Sequence, residues 1–561
     1  MIQSSLIPRA ARYLFYLAFK SPFVAKRWHW LRYYPPITPN DALLVKWSQS
    51  EWPDYQRWID RHTIQTCQQW QSLRRLATPP GPKISIVTPV YNTDPEVLKE
   101  CILSVRMQTS PYWEWLLIDD ASQNRETRSV LASPYCRDPR IRLLEINRSC
   151  PQGISAATNL GINLAQGDFI VFLDHDDRLA LDAIQNLIEF LSQHPATDIV
   201  YSDRDMLSPE NKRFMHLMKP GWSPENLFSG NYLFHLMAYR KSLIQQVGGL
   251  RSEYDGSQDY DLILRCMEYT DKIEHIPKVL YHWRQHSNSV ALNDNAKSYA
   301  FNAGIRALED ALSRRKISGT VSEIKTLWRG NYRVQLPLPD QEKITKVILP
   351  TDITPEKYTE IVQNRLLIEQ SQSYILIRHQ ACQPIDAQAE QQLASWLTLK
   401  NIGMASGKVL GKSGQLHYAG GILTKEGKLL WPYQGFSSEE PGYMAVTAIV
   451  RNISTPNPYC VMIHRELWEQ LGGFNPVFRG AHGLLDFALR GLALGWRIVY
   501  EPNAVFKLLA EPLPEIFMEN EQPVFRNHWQ EWLNKGDPAY NPNLSQHSRH
   551  YELAIEEDIS S

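Results

Sequence analysis

The chain has 561 residues, which is too long for a single hydrophobic core, so two or three domains are expected. Its formal net charge is −1, so no overall field attracts nucleic acid, and we expect no nucleic-acid partner. Seven scattered cysteines without a Cys-x-x-Cys pair are typical of free thiols, which favours a reducing, cytoplasmic location.

The first 34 residues mix basic and aromatic side chains and contain no acid. One interpretation is peripheral contact with an anionic membrane surface, at the inner face of the cytoplasmic membrane. The other is a helical extension whose aromatic side chains pack on the next domain, and the sequence leaves both open. No apolar run approaches the roughly 20 residues that a membrane span requires, so we expect no transmembrane helix.

Proline clusters interrupt the chain at 35–36, 78–82 and 336–339, and such clusters favour linkers and turns. We expect four divisions of the chain: an N-terminal helical extension over 1–80, a large first module over 81–335, a second module over 341–525 and a C-terminal tail over 526–561.

Apolar strand patterns alternate with helical patterns from Ile84 onward. The run 84–87 predicts a buried strand, 95–108 predicts a helix, and 115–118 predicts a second strand. Further strands are predicted at 141–146 and 169–173, with a helix over 154–165 between them. This alternation predicts an α/β fold with a mostly parallel sheet.

Acidic residues follow two of the predicted strands. Asp119 and Asp120 end one strand, and Asp174 and Asp176 follow another. In such sheets, ligands bind outside the carboxyl ends of the strands. A cluster of acids there would repel a bare diphosphate, so a divalent cation, Mn²⁺ or Mg²⁺, is the simplest way to combine these acids with an anionic ligand.

An internal repeat separates structural from chemical residues. The segment 248–265 resembles 472–490, with Asp261 aligned to Asp486, whereas Asp259 falls on Leu484. Asp261 therefore reads as structural, and Asp259 as a carboxylate that can accept a proton as a general base. The second module also carries 378–381, Arg-His-Gln-Ala, where the first carries its acids, so we expect it to be non-catalytic.

The first module closes with Tyr281-His282-Trp283-Arg284. A lone histidine is more often a satisfied surface or core residue than a ligand. His282 is nevertheless a candidate metal ligand, and Arg284 is a candidate phosphate contact.

Six ordered blocks together resemble family 2 glycosyltransferases, whose fold is the Rossmann-like GT-A fold. The blocks span about two hundred residues: 84–92 (ISIVTPVYN), 119–122 (DDAS), 153–161, 173–177 (LDHDD), 258–261 (QDYD) and 281–284 (YHWR). The second module resembles only the carboxyl-terminal half of the family, which implies a partial GT-A-like α/β module.

The resemblance implies roles for individual residues. Pro89, Tyr91 and Asp120 would hold the nucleoside of a nucleotide-sugar donor. Asp174 and Asp176 would bind Mn²⁺ or Mg²⁺ on the donor diphosphate, and Asp259 would be the catalytic base. Two positions depart from the common pattern: Thr158 stands where many relatives carry arginine, and Arg204 interrupts a segment where an acid is common.

The function implied is inverting transfer of a sugar to a hydroxyl of a glycan or lipid-linked acceptor, in cell-surface polysaccharide biosynthesis. A non-catalytic nucleotide-sugar or carbohydrate-binding scaffold of the same fold is the alternative. A dehydrogenase is disfavoured, because no Gly-x-Gly-x-x-Gly follows a strand.

Overall fold

Helices and strands alternate along most of the chain in a computed structural model that describes residues 37–76, 81–146, 150–285, 298–368, 371–510, 516 and 520–555. The basic and aromatic segment 1–34, with its two interpretations, lies outside the described residues. No described helix is long and apolar enough to cross a membrane.

The elements are numbered here in chain order. As far as residue 285 they are α1 Asp41–Trp47, α2 Pro53–His62, α3 Cys67–Leu76, β1 Ile84–Val90, α4 Pro95–Arg106, β2 Trp113–Asp119, α5 Arg125–Leu131, β3 Ile141–Glu145, α6 Ile154–Leu164, β4 Phe169–Phe172, β5 Arg178–Leu179, α7 Ala183–Gln193, β6 Ile199–Leu207, β7 Arg213–Leu217, β8 Met237–Arg240, α8 Lys241–Gln246, α9 Gln258–Cys266 and β9 Ile273–Arg284.

From residue 298 they are α10 Ser298–Arg314, β10 Thr320–Glu323, β11 Tyr332–Gln335, β12 Ile344–Leu349, α11 Pro355–Ile368, β13 Tyr374–His379, β14 Cys382–Pro384, α12 Ala389–Trp396, β15 Ile402–Leu410, β16 Leu416–Tyr418, β17 Ile422–Leu423, β18 Leu429–Leu430, β19 Arg451–Asn452, β20 Cys460–His464, α13 Arg465–Leu471, α14 Gly480–Ala493, β21 Arg497–Leu508, α15 Gln522–His528 and α16 Gln530–Lys535.

The described residues divide into two compact units. The first holds 37–216, 235–255 and 269–285, and the second holds the remainder, including 217–234 and 256–268. The division therefore passes through the segment 81–335, for which the sequence predicts a single domain. Each unit is built around one large sheet.

In the first unit, the large sheet has the order β3-β2-β1-β4-β8-β6-β9-β5, with β7 beside β6. Strands β1, β2, β3 and β4 run parallel, β6 and β9 run parallel to each other, and only β8 and β5 lie antiparallel to their neighbours on this path. The predicted α/β fold with a mostly parallel sheet is confirmed. Helix α4 begins where sequence signals place it, because Asp94 caps its first turn and Pro95 opens it.

The N-terminal extension is helical where it is described, and α1 to α3 belong to the first unit. Trp58 and Trp70 are buried, and Tyr55 of α2 donates a hydrogen bond of 2.6 Å to Asp205 Oδ2 on β6. Arg213 Nε lies 2.5 Å from the same oxygen. A buried carboxylate thus joins the extension to the sheet.

The second unit repeats the strand order of the first. Its large sheet runs β12-β13-β20-β15-β21-β14, which matches β1-β4-β8-β6-β9-β5 strand for strand, including every parallel and antiparallel pairing. Counterparts of β2 and β3 are missing from its described residues. The sequence of the second module resembles only the carboxyl-terminal half of the family. Its structure includes more of the fold than that half, because β12 and β13 match β1 and β4.

The two copies agree in detail as well as in order. Helices α8 and α13 both end in a glycine pair with positive φ, Gly248-Gly249 and Gly472-Gly473, a conformation that favours glycine over other residues. Both β6–β9 and β15–β21 shift register at the proline of the long strand, Pro277 and Pro502. These matches allow positions in the two sheets to be equated residue by residue.

The last described segment, 520–555, packs within the second unit rather than extending as a separate tail. Leu533, Tyr540 and Tyr551 are buried, and Asp537 accepts hydrogen bonds from Ser454 Oγ and from the backbone N–H of Leu423.

Candidate active site

An acidic turn connects β4 to β5 at the carboxyl end of the first sheet. It contains Asp174, Asp176 and Asp177, and the backbone N–H of Asp177 donates to the carbonyl of Asp174. Asp177 is buried: its Oδ2 accepts from the Tyr281 hydroxyl at 2.5 Å and its Oδ1 from the Arg284 N–H at 2.7 Å. Strand β9 therefore holds the turn in place.

A histidine from the bend just before β8 completes a group that could hold a metal. Ligand atoms of Asp174, Asp177 and His235 all lie within 4.8 Å of one another. His235 Nε2 is 3.8 Å from Asp174 Oδ2, and the His235 ring stacks on Tyr281 with centroids 4.8 Å apart. The Asp174 side chain is 37% exposed, so the group is open to solvent on that side.

The charges of this group favour a bound cation. Burial raises the pKa of Asp177 well above its usual range, and the carboxylates of Asp176 and Asp174 raise it further. A divalent cation would offset this repulsion, and two carboxylates with one imidazole are a suitable set of ligands for it. Asp176 lies in the same turn with its side chain 29% exposed, although it is not part of the three-residue group.

The structure places His282 away from this group, which corrects its assignment as a metal ligand. Neighbouring residues on a strand face opposite sides, and on β9 it is Tyr281 that faces Asp177. His282 is buried, with its Nδ1 2.6 Å from Asp205 Oδ1. Burial lowers the pKa of His282 to about 4, so the imidazole is neutral at neutral pH.

Arg284 supports the acidic turn from within the fold. Its Nε donates to the Asp176 carbonyl at 2.9 Å, and its Nη2 contacts Glu100 Oε2 at 2.7 Å. Its Nη1 lies 3.2 Å from Asn211 Oδ1. Each guanidinium nitrogen thus has a protein acceptor. Arg284, a candidate phosphate contact from its sequence, instead binds the acidic turn, Glu100 and Asn211.

The residues predicted to hold a nucleoside lie at the ends of two adjacent strands. Val90 of β1 pairs with Asp119 of β2, which brings Tyr91 and Asp120 to the same edge of the sheet. Tyr91 is 44% exposed, whereas Asp120 is buried and accepts from the backbone N–H groups of 152 and 153. Pro89, in β1, is partly buried. The edge therefore offers an exposed aromatic ring beside a carboxylate with a fixed orientation.

In the second unit, Asp259 lies in the first turn of α9. Its Oδ2 accepts from Asn231 Nδ2 at 3.0 Å, and burial raises the pKa of Asp259. Its neighbour Asp261 is fully buried and pairs with Arg265, at 2.8 Å. These two acids, two residues apart, are thus in different environments.

The repeat supports the distinction between the two acids. Asp486 and Arg490 on α14 form the same pair, four residues apart, at 2.7 Å. The position equivalent to Asp259 is Leu484, which is buried in the second unit. The ion pair that stabilises the helix is present in both copies, while the carboxylate of Asp259 has no counterpart.

The acidic turn is also lost from the second copy. By their pairing with β1 and β12, Phe169 corresponds to Tyr374, so the acids at 174, 176 and 177 correspond to His379, Ala381 and Cys382. His379 is buried, and its Nδ1 accepts from the backbone N–H of Ala381. By register, His235 corresponds to Tyr459 and Tyr281 to Phe506.

Sequence reasoning missed four residues of these sites: Asp177 as a buried acceptor, Tyr281, His235 and Asn231. Tyr281 could have been found from its place in the closing block 281–284, one residue before His282. His235 and Asn231 carry no local signal, because only the pairing of β8 and the hydrogen bond to Asp259 bring them into place.

Comparison with known proteins is consistent with this geometry. A family model described as Glycosyl transferase family 2 matches residues 85–248. An uncharacterized protein of Sinorhizobium fredii is 30% identical over 84% of this chain and 58% of its own length. The O-antigen biosynthesis protein RfbC of Myxococcus xanthus is 29% identical over 88% of this chain and 42% of its own length. The chain thus spans about half the length of these two relatives.

Another relative matches about a third of the chain. A PGL/p-HBAD biosynthesis glycosyltransferase of Mycobacterium bovis is 30% identical over 33% of this chain and 70% of its own length. Among solved structures, TarS of S. aureus in complex with UDP-GlcNAc has a TM-score of 0.34 and 16% identity, over 41% of this chain and 66% of that one.

Proposed function

The chain belongs to glycosyl transferase family 2, and we propose that it transfers a sugar from a nucleotide-diphosphate donor to a hydroxyl of a glycan or lipid-linked acceptor. The observation that carries this proposal is the group of Asp174, Asp177 and His235 at the carboxyl end of β4, which has no equivalent among the described residues of the second copy. Asp177 is held by strand β9, whereas Asp174 and Asp176 are partly exposed at the edge of the sheet where ligands bind in folds of this kind.

The donor is proposed to lie along the same edge. Pro89, Tyr91 and Asp120 would contact the nucleoside, with the Tyr91 ring exposed for stacking. Asp174 and Asp176, from the family motif, and His235 and Asp177, from the geometry, would hold Mn²⁺ or Mg²⁺. When bound, the cation supplies positive charge to the departing diphosphate.

Asp259 is proposed as the general base of an inverting displacement. Its carboxylate accepts the proton of the acceptor hydroxyl while the oxygen bonds to the anomeric carbon and the bond to the diphosphate breaks. The raised pKa of Asp259 makes it a stronger base than an exposed aspartate. The hydrogen bond from Asn231 fixes the orientation of the carboxylate.

The biological setting is proposed from the relatives. One is named for O-antigen biosynthesis and another for PGL/p-HBAD biosynthesis, so we propose a role in cell-surface polysaccharide synthesis. The basic segment 1–34 would suit a lipid-linked acceptor at the inner face of the cytoplasmic membrane.

The experiment is a screen of nucleotide sugars for Mn²⁺-dependent release of nucleoside diphosphate, with EDTA as the metal-free control. We expect release with at least one donor, and loss of release in EDTA. With an acceptor supplied, Asp259→Asn should lower kcat about 10²- to 10⁴-fold while donor binding stays within a few fold of wild type.

The control is Asp271→Asn, which makes the same chemical change at an exposed aspartate and should leave kcat unchanged. Full activity in Asp259→Asn would exclude the role of general base. Binding of donors without release of diphosphate under any condition would favour the non-catalytic scaffold instead.

A further inference from the structure

The second unit contains a polar cleft of about 300 Å³ between the β10–β11 hairpin and strands β15 and β21. Two basic residues line it, Arg333 on β11 and Lys408 on β15, with Ser322, Thr326 and Asn503 among the polar ones. Neither the segment 379–382, which replaces the acidic turn, nor the helix that carries Leu484 contributes to its lining. The cleft is therefore not a remnant of the family's catalytic residues.

The positive charges of the cleft are not offset by acids. In the part of the chain that the structure describes, neither Lys408 nor Arg333 forms an ion pair, and Lys408 Nζ contacts only the Ser438 carbonyl, at 3.3 Å. The one acid that lines the cleft, Glu323, is held by Arg329 at 2.9 Å. Burial lowers the pKa of Lys408, as expected for an ammonium removed from water without a counter-ion.

The first sheet has the opposite charge at the equivalent position. Asp203 pairs with Val279 and Lys408 with Val505, in each case the first pair beyond the register shift. Asp203 is buried and satisfied by His275 Nε2 at 2.8 Å.

Counting back along the same strands, Tyr500 takes the place of His275. In the second copy, a self-contained acid–histidine pair has become a lysine without an acidic partner. An anion from outside the chain would offset that charge.

The loop of the hairpin also carries an exposed aromatic ring. Trp328 is 56% exposed and lies in the loop that also supplies Ile324 and Thr326 to the lining. Exposed tryptophan faces are platforms on which sugar rings stack. Hydroxyl groups of Ser322 and Thr326 can exchange hydrogen bonds with sugar hydroxyls.

We propose that this cleft binds an acidic saccharide, whose carboxylate or phosphate substituent is held by Lys408 and Arg333 and whose ring stacks on Trp328. The saccharide class rests on the proposed function, since such a ligand would be a growing or finished glycan chain. The anionic character rests on the cleft alone. The second copy of the fold thus has a binding role of its own, although it has lost the acids of the first copy.

The test is direct binding to the full-length protein by ligand-observed NMR and titration calorimetry, without donor or metal. The anionic probes are trigalacturonate and mannose 6-phosphate, which distinguish a carboxylate from a phosphate substituent. Their neutral counterparts are the methyl ester of trigalacturonate and mannose, and inorganic phosphate reports binding of an anion without a sugar. Because no transfer is measured, a failure of the proposed transferase activity would not affect the result.

We expect at least one anionic sugar to bind more tightly than its neutral counterpart and than inorganic phosphate. Lys408→Gln and Arg333→Gln should each weaken that binding at least about tenfold, and Trp328→Ala should weaken it too. Lys400→Gln, the same change at an exposed lysine, should have no effect. Thermal unfolding of Lys408→Gln should occur at or above the wild-type temperature, which shows that the variant is folded.

Several results would overturn the proposal. They are equal binding of the anionic sugars and their neutral counterparts, inorganic phosphate binding as tightly as the sugars, no binding of either anionic sugar, and wild-type affinity in both Lys408→Gln and Arg333→Gln.

Discussion

The hydroxyl of Tyr281 links strand β9 to the acidic turn, and its removal tests whether that turn binds the cation. In Tyr281→Phe, Asp177 loses a hydrogen bond of 2.5 Å and the Asp174 N–H loses an acceptor at 3.3 Å. The ring itself remains, stacked on His235. Because Asp177 is buried, water does not readily replace the lost donor.

The size of the effect follows from the type of bond that is lost. A buried hydrogen bond to a carboxylate contributes about 1.5–3 kcal/mol, and each 1.36 kcal/mol corresponds to a factor of ten. If the turn must be ordered to bind the cation, the Mn²⁺ concentration for half-maximal donor hydrolysis should rise about 10- to 150-fold. At saturating Mn²⁺, kcat should stay close to wild type, since the metal ligands themselves are intact.

The assay is a Mn²⁺ titration of donor hydrolysis, with Tyr418→Phe as the matched control. Tyr418 is also buried in a sheet, and its hydroxyl donates to the Thr455 carbonyl at 2.8 Å, but it belongs to the second unit. Tyr418→Phe should lower thermal stability without moving the Mn²⁺ dependence. The reasoning is refuted if Tyr281→Phe leaves the Mn²⁺ dependence unchanged, or if Tyr418→Phe shifts it equally.

Two further predictions concern the helical extension and the proposed base. Tyr55→Phe removes the hydroxyl that donates to buried Asp205, so we expect the free energy of unfolding to fall by about 1.5–3 kcal/mol and the Tm measured by calorimetry to fall by several degrees. Tyr269→Phe, the same change at an exposed site, should leave the Tm unchanged. Equal Tm values for Tyr55→Phe and wild type would show that the extension is not coupled to the sheet. Burial and the nearby Asp261 raise the pKa of Asp259, and a protonated carboxyl cannot take the proton from the acceptor hydroxyl. We therefore expect kcat/KM to fall as the pH drops through a value above the usual pKa range of aspartate. A profile of kcat/KM that is flat down to pH 4 would contradict this.

Local patterns predicted the acids of the site, whereas long-range pairing decided the rest. Asp174 and Asp259 could be found because a strand end and a helix start are visible in the neighbouring residues. His235 could not, since it reaches Asp174 only through the antiparallel pairing of β8 with β4. The error at His282 has a different cause. Strand β9 is buried on both faces from Leu280 to His282, so the sequence does not show which of two adjacent residues faces the acids.

The duplication inside the chain separates folding requirements from chemical ones without reference to any other protein. Asp261–Arg265 and Asp486–Arg490 are retained in both copies, because a buried carboxylate without its partner would destabilise either helix.

The acids at 174, 176, 177 and 259 are replaced in the second copy by histidine, alanine, cysteine and leucine, and the sheet forms with the same strand order. A sheet of this strand order therefore forms without those acids, which supports the proposal that they act on ligands in the first copy. The same comparison can be made at Lys408, where it is the second copy that carries the additional charge. The first copy forms the equivalent strand pairing with Asp203 in place of the lysine, so the positive charge is not a requirement of the fold.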